Sequence, residues 1–453
     1  MDDFGALAVI PTLLVLLLAV LTRRPIESLV SGALLGLVML HGTQFLGGFA
    51  DTTLRVMTDE DVAWVILVCG FMGSLIALFT RTGATRAFTE RMSRYARSAK
   101  SALLTTWGIG LLLFVDDYLN SLALGASMRE LTDRFRISRE KLAYVVDSTA
   151  APISVLIPIS TWGAFFGGLL VDNGLAAQGA GLETYIRSIP YMFYAWAAVL
   201  LVPVVIAGAV PDLGPMRAAE ARAAAGATVP PEAEHVEAAN LAIQPKSAAP
   251  RSLLLFVVPM LALVLLTLYF DKDFLKGIYA TLGGTLVVIL GLRILDMEDT
   301  FNTVIDGFKT MIEPLGVLVA AFTLKDVNDA LGLAEWVVVS LEPVLTPELL
   351  PVMIFLTMGL VSFATGSNWG VFVIILPIVT ALGQNLGADM TLVIGATLSA
   401  STFGSHACFY SDATVLTAQA TGTTSMQHAL TQIPYALIAA AIAALAYLVI
   451  AYT

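Results

Sequence analysis

The strongest constraint on this chain is a series of long, uninterrupted apolar runs, each about the length of a bilayer crossing. Inside lipid every backbone amide must be paired internally, which leaves helices or a closed barrel. The runs are rich in Leu, Ala and Val and do not alternate apolar with polar residues, so a barrel is excluded. Charge agrees with this: 13% of residues are charged and 57% hydrophobic, against roughly 25% charged in soluble domains. The expected fold class is an all-α membrane protein with about ten transmembrane helices.

Spans are expected at 4–22, 25–45, 62–80, 142–171, 188–210, 252–270, 277–295, 310–328, 388–420 and 429–452. The start, Met1-Asp2-Asp3, has no positive n-region, and Arg23-Arg24 follows its apolar run. It reads as a first span and not as a removed signal. Cys69 and Cys408 lie far apart in apolar segments and give neither metal spacing nor a disulfide framework. The net charge of −11 is dispersed over loops and points to no partner; a nucleic-acid partner is not expected.

Two apolar stretches behave differently. Residues 101–128 are preceded by Arg81, Arg86, Arg91, Arg94, Arg97 and Lys100 and followed by Arg129, Arg134, Arg136, Arg139 and Lys141. Cytoplasmic loops collect Lys and Arg, so both ends belong inside and the segment is a re-entrant hairpin tipped by Asp116-Asp117-Tyr118-Leu119-Asn120. The same threading makes 350–383 re-entrant from the opposite face, with Thr365-Gly366-Ser367-Asn368 at its tip, and puts both termini outside. Of the 24 Lys and Arg, only Arg55, Arg187, Lys272, Lys276 and Lys325 then fall outside.

Residues 211–251, rich in Ala, Pro and Glu, form a flexible or partly helical cytoplasmic linker. They divide the chain into a first repeat, 1–210 (hairpin 101–128, broken helix 142–171), and a second, 252–453 (hairpin 350–383, broken helix 388–420). Residues 73–90 and 316–333 align through Gly-x-Leu-x-Ala-x-Phe-Thr, and each leads through an arm to a hairpin and a Ser/Thr/Gly-rich broken span. Five crossings per half require the second copy to be inverted, so the fold is read as an all-α, inverted-repeat secondary transporter with about ten transmembrane helices and two re-entrant hairpins. Chance likeness between apolar helices is the plain alternative.

Charges near the bilayer centre cost at least about 2.5 kcal/mol, so Asp116, Asp117, Asp147, His406 and Asp412 stand out. Adjacent carboxylates at 116 and 117 repel, which suits reversible protonation or cation exchange. Asp147, beside Ser148 and Thr149, reads equally as an N-cap and as an ion ligand. His406 is taken as the only intramembrane histidine, a proton carrier or a packed ring. Pro152 and Pro158 break a helix and free carbonyl oxygens, which are hard ligands for Na⁺. Side-chain oxygens of Asn120, Ser121, Ser148, Thr149, Thr365, Ser367, Asn368, Ser399, Ser401, Thr402 and Ser411 can join them, or can simply pack helices together. Trp162 and Trp369 near the breaks are pocket lining or core. The Na⁺ candidates are Asp117, Asn120, Asp147, Ser148 and Asp412. No phosphate-cradling Gly-x-x-x-x-Gly-Lys-Ser/Thr motif is present, so ATP drive is not expected. A channel fits the hydropathy but not the broken-helix repeat.

At these motifs the chain resembles the NhaC family of sodium/proton antiporters, within the ion transporter superfamily. Phe114–Ser121 carries the most specific likeness. Ile137–Tyr144 running into Asp147–Pro152 continues it, and Gly366-Ser-Asn-Trp-Gly370 is similar to the family's Gly-Thr-Ser-Trp-Gly. The likeness covers most of 64–425. It implies a non-enzyme that exchanges Na⁺ for H⁺ with no cofactor beyond those ions, in a bacterial or archaeal inner membrane. Hairpins meeting near the midplane and an elevator-like movement are also implied, and a lipid-embedded homodimer is expected. One departure stands out. The family's Gly-Asp-His-Cys-Ser-Pro-Ile-Ser-Asp-Thr reads here Gly404-Ser-His-Ala-Cys-Phe-Tyr-Ser-Asp-Ala413. His406, Ser411 and Asp412 remain, but Ser405 replaces an acid and the Pro is gone. Because the family also includes carriers of organic anions or amino acids, a sodium- or proton-coupled carrier of a small organic solute is the alternative.

Overall fold

The computed structural model describes residues 4–92, 94–241, 252–341, 345–366 and 369–452, and all regular structure among them is helical. Six helices are long and apolar enough to cross a membrane, from Pro25–Met57 to Ser425–Ala451. Two pairs bent by 42° and 54°, Arg139–Leu156 with Thr161–Asp172 and Gly181–Tyr191 with Phe193–Ala207, raise the number to eight. Gly5–Ala19 and Leu253–Tyr269 are shorter apolar helices at the remaining two expected spans. Each of the ten expected spans therefore has a helix. The outer surface is what lipid requires: Leu17, Leu261, Leu265 and Val287 are 57%, 58%, 63% and 72% exposed.

Both expected hairpins are helix–break–helix units. In the first, Ala99–Leu112 ends at Leu113, and the chain resumes at Asp117–Leu119 and passes through a π-turn at Asn120–Leu124 into Gly125–Arg134. The break lies at 113–116, so Asp117 and Asn120 stand on the returning arm. In the second, Leu350–Thr365 ends at Gly366 with φ +67°. Only glycine fits there: the conformation disfavours a side chain, and a Cβ would lie 2.6 Å from the Tyr410 ring. Ser367 and Asn368 lie outside the described residues, as does the side chain of Trp369.

The two broken spans differ in how they break. Arg139–Asp147 gives way to Ala151–Leu156, with Pro152 in its first turn where a missing donor costs least, then to Thr161–Asp172 after Pro158. Met390–Ala407 is interrupted only at 408–411 before Asp412–Thr421, which Ser411 caps by accepting from Thr414 N. Of the two forms expected for the linker, its described residues take the partly helical one. Gly214–Ala224 and Glu234–Leu241 are helical, and ion pairs dock the linker on the start of the first broken span: Arg222 of the first helix with Glu140 at 2.7 Å, and Asp212, just ahead of that helix, with Lys141 at 2.8 Å. Buried Arg139 forks onto Asp133 at 2.9 and 2.7 Å and reaches Glu237 at 3.5 Å. Residues 242–251 lie outside the described part.

Candidate functional site

The carboxylates singled out by sequence fall into two buried clusters. The first surrounds the hairpin break. Asp116 accepts from Leu119 N at 3.0 Å and so caps the turn that begins at Asp117. Asp117 is fully buried with the Trp162 indole against it, and neither carboxylate oxygen has a hydrogen-bond partner of ordinary geometry among the described residues. Asn120 Oδ1 and Ser121 Oγ, three and four residues on and thus on the same face of the turn, are buried and unpartnered too. Tyr118 donates to Asp412 Oδ2 at 2.6 Å, bringing the second broken span to the hairpin. Asp412 Oδ1 accepts from Ala413 N at 2.8 Å. A buried carboxylate without donors is sustained by a proton or a cation, and the neighbouring oxygens are the hard ligands Na⁺ accepts.

A cavity of about 630 Å³ ends against Asp116, Asp117 and Tyr118. Its acidic lining is completed by Asp59, Glu60 and Asp326; Arg55 and Lys325 are its basic residues, and Trp64 and Phe165 are among its walls. Arg55 grips Asp326 at its mouth with two bonds, at 3.2 and 2.6 Å. Both cations belong to the small set that charge threading assigns to the outside.

The second cluster joins four helices, Arg139–Asp147, Phe193–Ala207, Met390–Ala407 and Ser425–Ala451. Asp147 ends its helix and caps nothing; its Oδ2 takes hydrogen bonds from His428 at 3.1 Å and Gln432 at 2.6 Å. Gln432 also donates to His406 O. The His406 ring lies between Ser148 Oγ at 2.9 Å and Tyr194 OH at 2.7 Å. Ser399 Oγ accepts from Tyr194 N and from Tyr447 OH. Asp147 and Ser148 are thus engaged away from Asp117. Asn120 links the clusters by donating to Gly110 O at 2.9 Å and to Thr149 O.

Sequence reasoning missed His428 and Gln432. His406 is not the only buried histidine, because His428 is fully buried as well. Other expected ligands spend their hydroxyls on their own helices: Thr149 on Val146 O, Thr365 on Val361 O, and Thr402 on Leu398 O. Ser401 is buried within Met390–Ala407, and Ser411 donates to Ser405 O at 2.5 Å. Trp162 is core, fully buried 5.7 Å from the Phe166 ring. The described residues hold no group of three or more His, Cys, Asp or Glu arranged for a metal.

The sequence profile of the Na⁺/H⁺ antiporter family matches residues 4–176 and 165–452, nearly the whole chain. The chain belongs to the Na⁺/H⁺ antiporter family. It is a multi-pass membrane protein and a secondary transporter of the NhaC type. An uncharacterised protein of Haemophilus influenzae is 28% identical over 481 residues, covering 98% of this chain and 91% of its own. The malate-2H⁺/Na⁺-lactate antiporter of Bacillus subtilis is 27% identical over 158 residues, 34% of this chain and 33% of the relative. A solved structure of MtrF from Neisseria gonorrhoeae, described among antimetabolite efflux pumps, covers 91% of this chain and 85% of its own at 13% identity and a TM-score of 0.40. Within the NhaC-type frame neither oxygen of Asp117 has a partner of ordinary geometry, whereas Asp147 leaves Oδ1 unpartnered and spends Oδ2 on bonds that hold helices together.

Proposed function

We propose that this transporter exchanges Na⁺ for H⁺ across a bacterial or archaeal inner membrane, with Asp117 as the carboxylate both ions share. The observation that carries this is Asp117 itself: buried among the lining of the cavity, with the Trp162 indole against it and no hydrogen-bond donor of ordinary geometry on either oxygen. Asn120 Oδ1, Ser121 Oγ and Asp412 complete an oxygen-rich site in this reading. Binding Na⁺ displaces the proton, because one carboxylate in a dry site carries one compensating charge at a time. No cofactor beyond the two ions takes part. The halves act as inverted repeats whose hairpins enter from opposite faces. The bundle carrying the site moves against its scaffold in a lipid-embedded homodimer, giving alternating access.

Dilution of Na⁺-loaded proteoliposomes into Na⁺-free buffer is expected to acidify their lumen, as H⁺ enters while Na⁺ leaves. Absence of any pH change with Na⁺, Li⁺ or K⁺ would sink the proposal. A second reading, coupled carriage of a small organic solute, is favoured by the cavity's size and by Ser405 in the place of an acid. It also agrees with the malate and lactate exchange for which the Bacillus relative is named. A thermal-shift screen separates the two: stabilisation by organic solutes with none by alkali cations supports this second reading.

A further inference from the structure

A cavity of about 630 Å³ is far larger than a bare Na⁺ requires and falls in the range, about 300–1,000 Å³, of pockets that take small organic molecules. Its chemistry indicates which kind. The acidic residues lining it outnumber the basic ones five to two. Both bases are already ion-paired, Arg55 with Asp326 at 2.6 Å and Lys325 with Asp329 at 2.9 Å. An organic anion would have to break one of these pairs and then approach Asp116 and Asp117. A cation meets the opposite situation. The rings of Trp64 and Tyr118 stand with centroids 5.6 Å apart beside those carboxylates, and Phe165 lines the same cavity. Aromatic faces carry partial negative charge and attract alkylammonium groups, most strongly where water is excluded. Asp117 adds a buried carboxylate that, apart from the Trp162 indole against it, has no hydrogen-bond partner of ordinary geometry among the described residues.

We propose that this cavity binds a small organic ammonium compound, its cationic head at Asp117 and its methyl or methylene groups against Trp64, Tyr118 and Phe165. The proposal rests on the reading of Asp117 as the coupling-cation site, so ammonium and Na⁺ compete for one carboxylate. Tetramethylammonium is the probe, since it carries no transferable proton and leaves a pH gradient undisturbed.

Titration calorimetry of the purified whole chain with tetramethylammonium chloride, at constant ionic strength set by KCl, reads binding without transport. Saturable binding that Na⁺ displaces is the expected result. Trp64→Leu should weaken it about tenfold, the loss of one desolvated cation–π contact; Phe165→Leu serves if Trp64→Leu does not fold. Saturable binding of potassium lactate with none of tetramethylammonium, or binding of neither, overturns the proposal. The vesicle assay separates the two claims. Na⁺/H⁺ exchange without ammonium binding removes the ammonium site alone, and ammonium binding without exchange removes the exchange reading alone.

Discussion

Asp117 and Asp147 lie in similarly apolar surroundings, and their hydrogen bonds distinguish them. Asp147 has two donors on one oxygen, whereas Asp117 has none of ordinary geometry on either. Asp117→Asn should therefore reduce Na⁺-driven H⁺ flux about a hundredfold or more. It should leave thermal stability equal or higher, because it removes a buried charge that has no protein hydrogen bond of ordinary geometry. A variant with wild-type flux, measured in proteoliposomes, contradicts the assignment. His428→Ala should do the reverse, costing about 1–3 kcal/mol of stability by removing a donor from buried Asp147, read as a lower melting temperature in detergent. The first carboxylates were legible in the sequence because charge in an apolar run is costly. His428 was not: it sits one residue before the apolar run expected at 429, where a polar residue reads as the end of a span. Its burial comes from the docking of the helices around it, which no local pattern records.

At the scale of elements, the breaks were legible and their details were not. Flanking charge marked both hairpins and Pro marked the first broken span, yet the break of the first hairpin falls at 113–116, ahead of the Asp-Asp pair. Which side of a break a carboxylate occupies depends on helix packing. Gly366→Ala should destabilise by about 1–3 kcal/mol through its left-handed backbone, with further loss from collision with the Tyr410 ring; thermal unfolding in detergent checks this. The linker shows a different limit. Its composition left it flexible or partly helical, because composition cannot show that Arg139, Glu140 and Lys141 of the first broken span take partners from it. Arg222→Ala strands Glu140, which is 1% exposed. A cost of about 1–3 kcal/mol is expected, below the full buried-pair figure because Arg222 keeps some contact with water. Limited proteolysis should then cleave residues 225–241 faster than in the wild type, and an unchanged cleavage rate contradicts the docking.

The molecule as a whole combines a helical bundle, legible from hydropathy and charge, with a cation-sized demand and an organic-sized cavity. Membership of the Na⁺/H⁺ antiporter family fixes the class of transport; the cavity and Ser405 bear on which solutes share the path. Coupling is the central claim, and it is a property of the whole transporter because one carboxylate must alternate between two ions and two sides. The most direct test measures Na⁺ efflux and H⁺ uptake together in the same proteoliposomes, with the membrane potential clamped, for the wild type and Asp117→Asn. The account predicts that neither flux proceeds without the other in the wild type and that both stop in the variant. Na⁺ efflux without H⁺ uptake, or undiminished coupled flux in Asp117→Asn, would contradict it.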